Sequence, residues 1–213
     1  MTPLSILWNP AAVSERVAHA NLALPLLLLG VASALPNYAL LLRYGATQLI
    51  QLKLDTTPGG MFPSSIFMFT GLAWLSPFLL PLAVLLAAWI LDYYVGFFLD
   101  STVQGSELRR LVAWGFLPLA FQKLLEGILV LACGRECDLF NPLASNLAFF
   151  FDSKQTDVFW YEMARGVELF AAWAVIITGR AMATRYDSSL AAVITGVAAV
   201  YWLAVFLRSS LLG

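Results

Sequence analysis

The 213-residue sequence holds one histidine, His19, and two cysteines, Cys133 and Cys137. His19 precedes the first long apolar run, so no imidazole is available for a dyad deep in a membrane. There is no His-Glu-x-x-His motif for a zinc protease and no glycine-rich loop for phosphate. Two cysteines cannot supply the four ligands of a structural zinc site. Ser106, in QGSELRR, reads as the N-cap of a helix rather than as a nucleophile. These absences point away from an enzyme, and no catalytic residue, metal or cofactor is assigned. Charge is scarce as well. Only 12% of residues are Asp, Glu, Lys or Arg, about half the 25% or so of an ordinary soluble domain. The formal net charge is −1, which gives no basic patch for nucleic acid.

Apolar residues make up 61% of the chain, and the mean hydropathy is +0.81. A protein this greasy cannot be wetted all round, so the expected class is an integral membrane protein. Leu22 to Ala34 (LALPLLLLGVASA) has the look of a signal peptide. The apolar run continues past Pro36 to Leu42, however, long enough to span, and is read as a retained first helix.

A span needs about 20 mostly apolar residues. Five segments qualify: Leu22–Leu42, Thr70–Leu91, Leu111–Ala132, Val158–Thr178 and Leu190–Leu207. Pro25, Pro36, Pro77 and Pro81 fall inside the first two and imply kinks rather than breaks. Trp8-Asn9-Pro10 and Phe140-Asn141-Pro142 each place Asn at an N-cap and Pro at the first helical position. The weakly amphipathic helix after Pro10 is expected at the membrane interface. LASNLAFFF, after Pro142, suits an interfacial or re-entrant piece.

Basic residues divide evenly between the two faces, so the positive-inside rule does not orient the chain. Cys133 and Cys137, in CGREC past the third span, could form a disulfide only in an oxidising compartment. That places their loop outside and the N-terminus in the cytoplasm. Free thiols at a helix end are the alternative.

The fourth segment carries WYEMARGVELF, in which Glu162, Arg165 and Glu168 recur at every third residue. Ionisable groups inside a span point to function or to partners. The third segment offers Gln122, Lys123 and Glu126. Consecutive spans are antiparallel, and a helix rises about 1.5 Å per residue. Counted from the connecting loop, Lys123 and Glu168 lie about 13 and 15 Å deep, and Glu126 and Arg165 about 9 and 10 Å. The expected pairs are therefore Lys123 with Glu168 and Glu126 with Arg165. The five charges sum to −1, leaving Glu162 as the carboxylate without a cation. Such a cluster either locks two helices together or lines a hydrated cavity for a proton or ion.

VQGSELRRLVAWGFLPLAFQKLL, Val103 to Leu125, resembles the Ypt-interacting-protein (Yip) domain family. There, Gly-Ser and a basic amphipathic turn lead into a span with a proline about a dozen residues on. Gly105, Ser106, Leu108, Leu111, Ala113 and Pro118 match that pattern. ILWNPAAVSERVAHANLALPLLL is similar to the family's opening, and Asn146, Leu147, Asp157 and Phe159 match its approach to the fourth span. The resemblance covers about Ile6 to Leu207 and implies five helices with the N-terminus inside and the C-terminus outside. Its fourth span is usually plainly apolar, so it assigns no role to Glu162, Arg165 or Glu168. Eukaryotic members engage Rab-type GTPases in vesicle traffic through a longer cytosolic N-terminal region. With only about twenty residues before the first span, the chain looks like the short prokaryotic branch, whose members often accompany export machinery.

The expectation is thus an all-α integral membrane bundle of five transmembrane helices with short interfacial helices. Residues 1–21 form an N-terminal interfacial segment, 22–207 the membrane domain and 208–213 a tail. A bacterial inner (plasma) membrane is the expected location. Its partners are the lipid bilayer and other membrane proteins or a second copy of the chain. The expected role is a non-enzymatic scaffold or accessory subunit for trafficking or export machinery. A small transporter or channel built on the Lys/Glu/Arg cluster is the alternative.

Overall fold

Asn9 and Pro10 start the first helix as their chemistry requires. In the computed structural model, which describes residues 3–56, 64–98, 105–132, 143–151 and 156–212, the Asn9 side chain accepts a hydrogen bond from the Ala12 N–H at 3.3 Å. Pro10 opens α1 (Pro10–Ala18), where a missing N–H removes nothing. A 3₁₀ turn, Pro3–Leu7, precedes it. The remaining helices are α2 (Ala23–Thr56), α3 (Ser64–Phe98), α4 (Gly105–Gly115), α5 (Leu117–Ala132), α6 (Val158–Gly166), α7 (Leu169–Arg185) and α8 (Leu190–Leu212). A second 3₁₀ turn covers Leu147–Phe150. All of this is helical.

Among the described residues, four helical stretches are long and apolar enough to cross a membrane: Ala23–Gly45, Trp74–Phe98, Gly105–Ala132 and Leu190–Ser210. Their large side chains face outward as a lipid-facing surface would require, including Trp74, Phe78, Leu82, Trp89 and Phe97 on α3 alone. In a soluble protein so large an apolar surface would be an interaction site or an aggregation hazard. The first stretch ends at Gly45, whose φ of 68° and ψ of 164° turn the chain within α2. That conformation is essentially restricted to glycine.

The prolines are accommodated by close helix contacts. Pro81 has no N–H to bond the Pro77 carbonyl one turn back. That carbonyl faces Gly30 of α2, where a Cβ would lie only 2.6 Å away. Beside it the Ser33 hydroxyl donates to the Ser76 carbonyl at 2.7 Å. Pro118 similarly divides the third crossing into α4 and α5 at Phe116, and sits in the first turn of α5, where proline is tolerated. Small residues let helix backbones approach, the main packing device in a solvent that gives no hydrophobic drive between helices.

The core is centred on α4. Every residue from 111 to 118 is buried. Leu108, Leu111 and Trp114 belong to one cluster with Ile177 and Met182 of α7 and Val13 and Val17 of α1. The N-terminal segment expected at the interface therefore turns its apolar residues into protein, packed on α4 and α7. Arg110 of α4 donates to the Ala18 carbonyl at 2.8 Å, closing the end of α1. Trp8 rests against Trp173 with ring centroids 5.9 Å apart.

The stretch Val158–Thr178, expected as one continuous span, is broken. Helix α6 ends at Gly166, Val167 makes a tight turn closed by the Glu168 N–H to the Gly166 carbonyl at 3.1 Å, Glu168 is extended, and α7 begins at Leu169. The cause is a partner that sequence hydropathy cannot see. Asn146 and Glu168 form an antiparallel bridge. It is closed by Leu147 N–H to the Val167 carbonyl and Leu169 N–H to the Ser145 carbonyl, both at 3.2 Å. Tyr201 of α8 donates to the Gly166 carbonyl at 2.8 Å. Backbone groups that a continuous helix would have satisfied internally are thus satisfied by other parts of the protein, as buried backbone groups require.

Candidate functional site

The ionisable residues singled out in the sequence fall into two groups. On α5, Gln122 is fully buried and its amide donates to Glu126 Oε1 at 2.8 Å. Lys123 Nζ lies 2.6 Å from Glu126 Oε2. These residues are three and four apart on one helix, the spacing that brings side chains together. The Gln122 carbonyl oxygen is buried with no hydrogen-bond partner among the described residues.

The second group joins α6 to α8. Arg165 Nη1 lies 2.8 Å from Glu162 Oε1, again within one helix. The other carboxylate oxygen of Glu162 is held by the guanidinium of Arg208, near the end of α8. Glu162 is buried and both arginines are more exposed than it is. Glu168 lies at the break between α6 and α7, half-buried, and makes no ion pair among the described residues.

The expected pairs are therefore corrected. Lys123 meets Glu126 rather than Glu168, and Arg165 meets Glu162 rather than Glu126. Partners three residues apart were nearer than partners on another helix. The extended backbone at Glu168 also takes that residue off the helical stripe it shares in sequence with Glu162 and Arg165. Glu162, expected to lack a cation, holds two. Sequence reasoning placed Arg208 in a tail beyond the membrane domain. One signal could have found it: the charge sum of −1 over the five residues called for one more cation.

A third group was not anticipated. Arg185, at the end of α7, lies 2.9 Å from Glu107 in the first turn of α4. The next residue, Tyr186, is half-buried, and burial raises its phenol pKa, with the nearby Glu107 carboxylate adding to the shift. Asp92 of α3 approaches the start of α4, its Oδ2 3.0 Å from where a Cβ on Gly105 would stand. A carboxylate there is favoured by the positive end of the helix dipole.

Cys133 and Cys137 lie outside the described residues. Among the described residues no three His, Cys, Asp or Glu side chains gather as metal ligands. Among the described residues the architecture is all-helical with four helices long and apolar enough to cross a membrane, compatible with a multi-pass membrane protein. No protein-family model matches the chain, and no curated protein or solved structure matches it either.

Proposed function

We propose that the chain is a non-enzymatic, Yip-like membrane protein that crosses the bilayer five times. In this reading it serves as a scaffold or accessory subunit for trafficking or export machinery. The fifth crossing is the broken helix. Ideal Cβ atoms on Gly179 and Gly166 would meet Ile194 and Val205 of α8, and Glu162 meets Arg208. Contacts that descend α7 and α6 while climbing α8 support α6 and α7 as one antiparallel traverse beside it. Five crossings put the termini on opposite faces, with the N-terminus in the cytoplasm of a bacterial cell.

The observation that carries the scaffold role is how the charges are used. Arg185 ties α7 to α4, Arg208 ties α8 to α6, and Lys123 is neutralised within its own turn. Paired charges in a low-dielectric setting fix which helices meet and in what register. Crosslinking in native membranes followed by purification of the full chain tests the role. A specific membrane partner is expected to co-purify, and recovery of the chain alone at every crosslinker dose would count against it.

A transporter is the second reading, and the break at Val167–Glu168 favours it. Discontinuous helices mark the substrate and ion sites of many transporters, and the carboxylate at this break has no ion-pair partner among the described residues. Flux of protons or ions into liposomes carrying the purified chain, abolished by Glu168→Gln, would favour transport over the scaffold.

A further inference from the structure

The Glu162 carboxylate holds two guanidiniums, Arg165 from its own helix and Arg208 from α8. One anion between two cations leaves the triad with a formal charge of +1. The arrangement is layered. Glu162 keeps 10% of its side-chain surface exposed, Arg165 32% and Arg208 48%. The negative charge is therefore inside and the positive charge faces out. Arg208 is the more exposed of the two cations. Asp157, the carboxylate at the start of α6, is engaged by the Phe159 N–H at 2.9 Å.

Position in the membrane narrows what such a site would meet. Arg208 lies two residues before the end of the apolar stretch Leu190–Ser210, the position that a headgroup-level arginine would take if that stretch crosses a bilayer. Exposed Trp160 of α6 and Phe206 of α8 lie at the same end of these two helices, linked through Phe159, whose ring centroid is 5.2 Å from that of Trp160 and 5.9 Å from that of Phe206. Aromatic rings and arginine at the end of a span belong to the membrane–water interface. A guanidinium has five N–H donors in a fork that matches phosphate, and Arg208 commits Nη2 to Glu162. Glu162 also restrains the long arginine side chain, which lowers the ordering entropy a ligand must offset.

We propose that Arg208, with Arg165 and Glu162 behind it, binds the phosphate of an anionic phospholipid headgroup at the α6–α8 end of the bundle. The recognised chemistry is a phosphate oxyanion, and the aromatic flank and headgroup depth assign it to lipid rather than to free phosphate. The site stands apart from the scaffold role and holds whether or not a partner protein is found.

Native mass spectrometry of the full chain released from nanodiscs of mixed phosphatidylglycerol and phosphatidylcholine tests the assignment. Arg208→Gln is expected to lower the retained ratio of anionic to zwitterionic lipid about fivefold, the effect of one basic residue near a charged surface. Arg180→Gln, which removes an exposed arginine of α7 that stands outside the triad, is expected to lower the ratio less than Arg208→Gln, and an equal or larger loss overturns the proposal. Equal ratios for wild type and Arg208→Gln overturn the proposal. Binding of inorganic phosphate to the detergent-solubilised chain, lost in Arg208→Gln, overturns the assignment to lipid. Should Arg208→Gln not fold, the wild type decides. Its thermal midpoint is expected to rise saturably with phosphatidylglycerol content, and the same midpoint in pure phosphatidylcholine would refute the site.

Discussion

Removing Arg208 should loosen α6 from α8, and the geometry sets the scale. Unit charges 2.8 Å apart, the separation of Glu162 and Arg165, attract by about 6 kcal/mol at an effective dielectric of about 20. Most of that offsets the desolvation of a buried carboxylate. The Arg165 contact lies within one helix and is worth only about 0.3–0.5 kcal/mol, as local helix pairs are. Arg208 reaches across from another helix and is half exposed, so a net coupling of about 1–2 kcal/mol is expected, between surface and buried pairs. A double-mutant cycle of Glu162→Gln and Arg208→Gln measures it, by reversible denaturant unfolding in mixed micelles. The same cycle with Arg165→Gln should give less than half that coupling. If Glu162 and Arg208 show no coupling, the ion pair is not what joins α6 to α8, and the locking role assigned to these charges fails.

Other consequences are as direct. Gly115→Ala should destabilise by about 1–3 kcal/mol through overpacking, because its Cβ would stand 2.2 Å from Thr178 Oγ1. Thr178→Gly in the same chain should recover part of the loss in a thermal unfolding assay. Gly45→Ala should cost about 1–3 kcal/mol for a strained backbone, or straighten α2, which hydrogen exchange across residues 43–48 would report. Tyr186 has its phenol pKa raised by burial, so its contribution is intact below about pH 10, where the unfolded tyrosine is also neutral. Above that pH the unfolded chain loses the proton first, and stability falls as pH rises. Wild type should therefore lose more stability than Tyr186→Phe between neutral and strongly alkaline pH, and parallel curves would contradict the burial.

The amino-acid sequence by itself determined what depends on composition and on neighbours along the chain. Twenty-residue apolar runs announce helices able to cross a membrane because hydrophobic length is a local sum. The four long helices fall on the first, second, third and fifth segments read from the sequence, with ends shifted by a few residues. Asn9 and Pro10 declared the start of α1 because a cap acts within one turn. The pairing of Lys123 with Glu126 was equally local, although depth matching between helices obscured it.

Tertiary structure alone decided the rest. The α6–α7 break exists because residues 145–147 supply hydrogen bonds to Val167 and Leu169 from twenty or so residues earlier in the chain. No window of hydropathy contains that information. The same holds for Arg208, which read as a tail residue until the return of α8 brought it to Glu162. Which carboxylate makes no ion pair among the described residues, Glu168 rather than Glu162, followed from both. Apolar burial is additive along a sequence, but satisfying buried charges and backbone groups needs specific partners, and only the folded chain selects them.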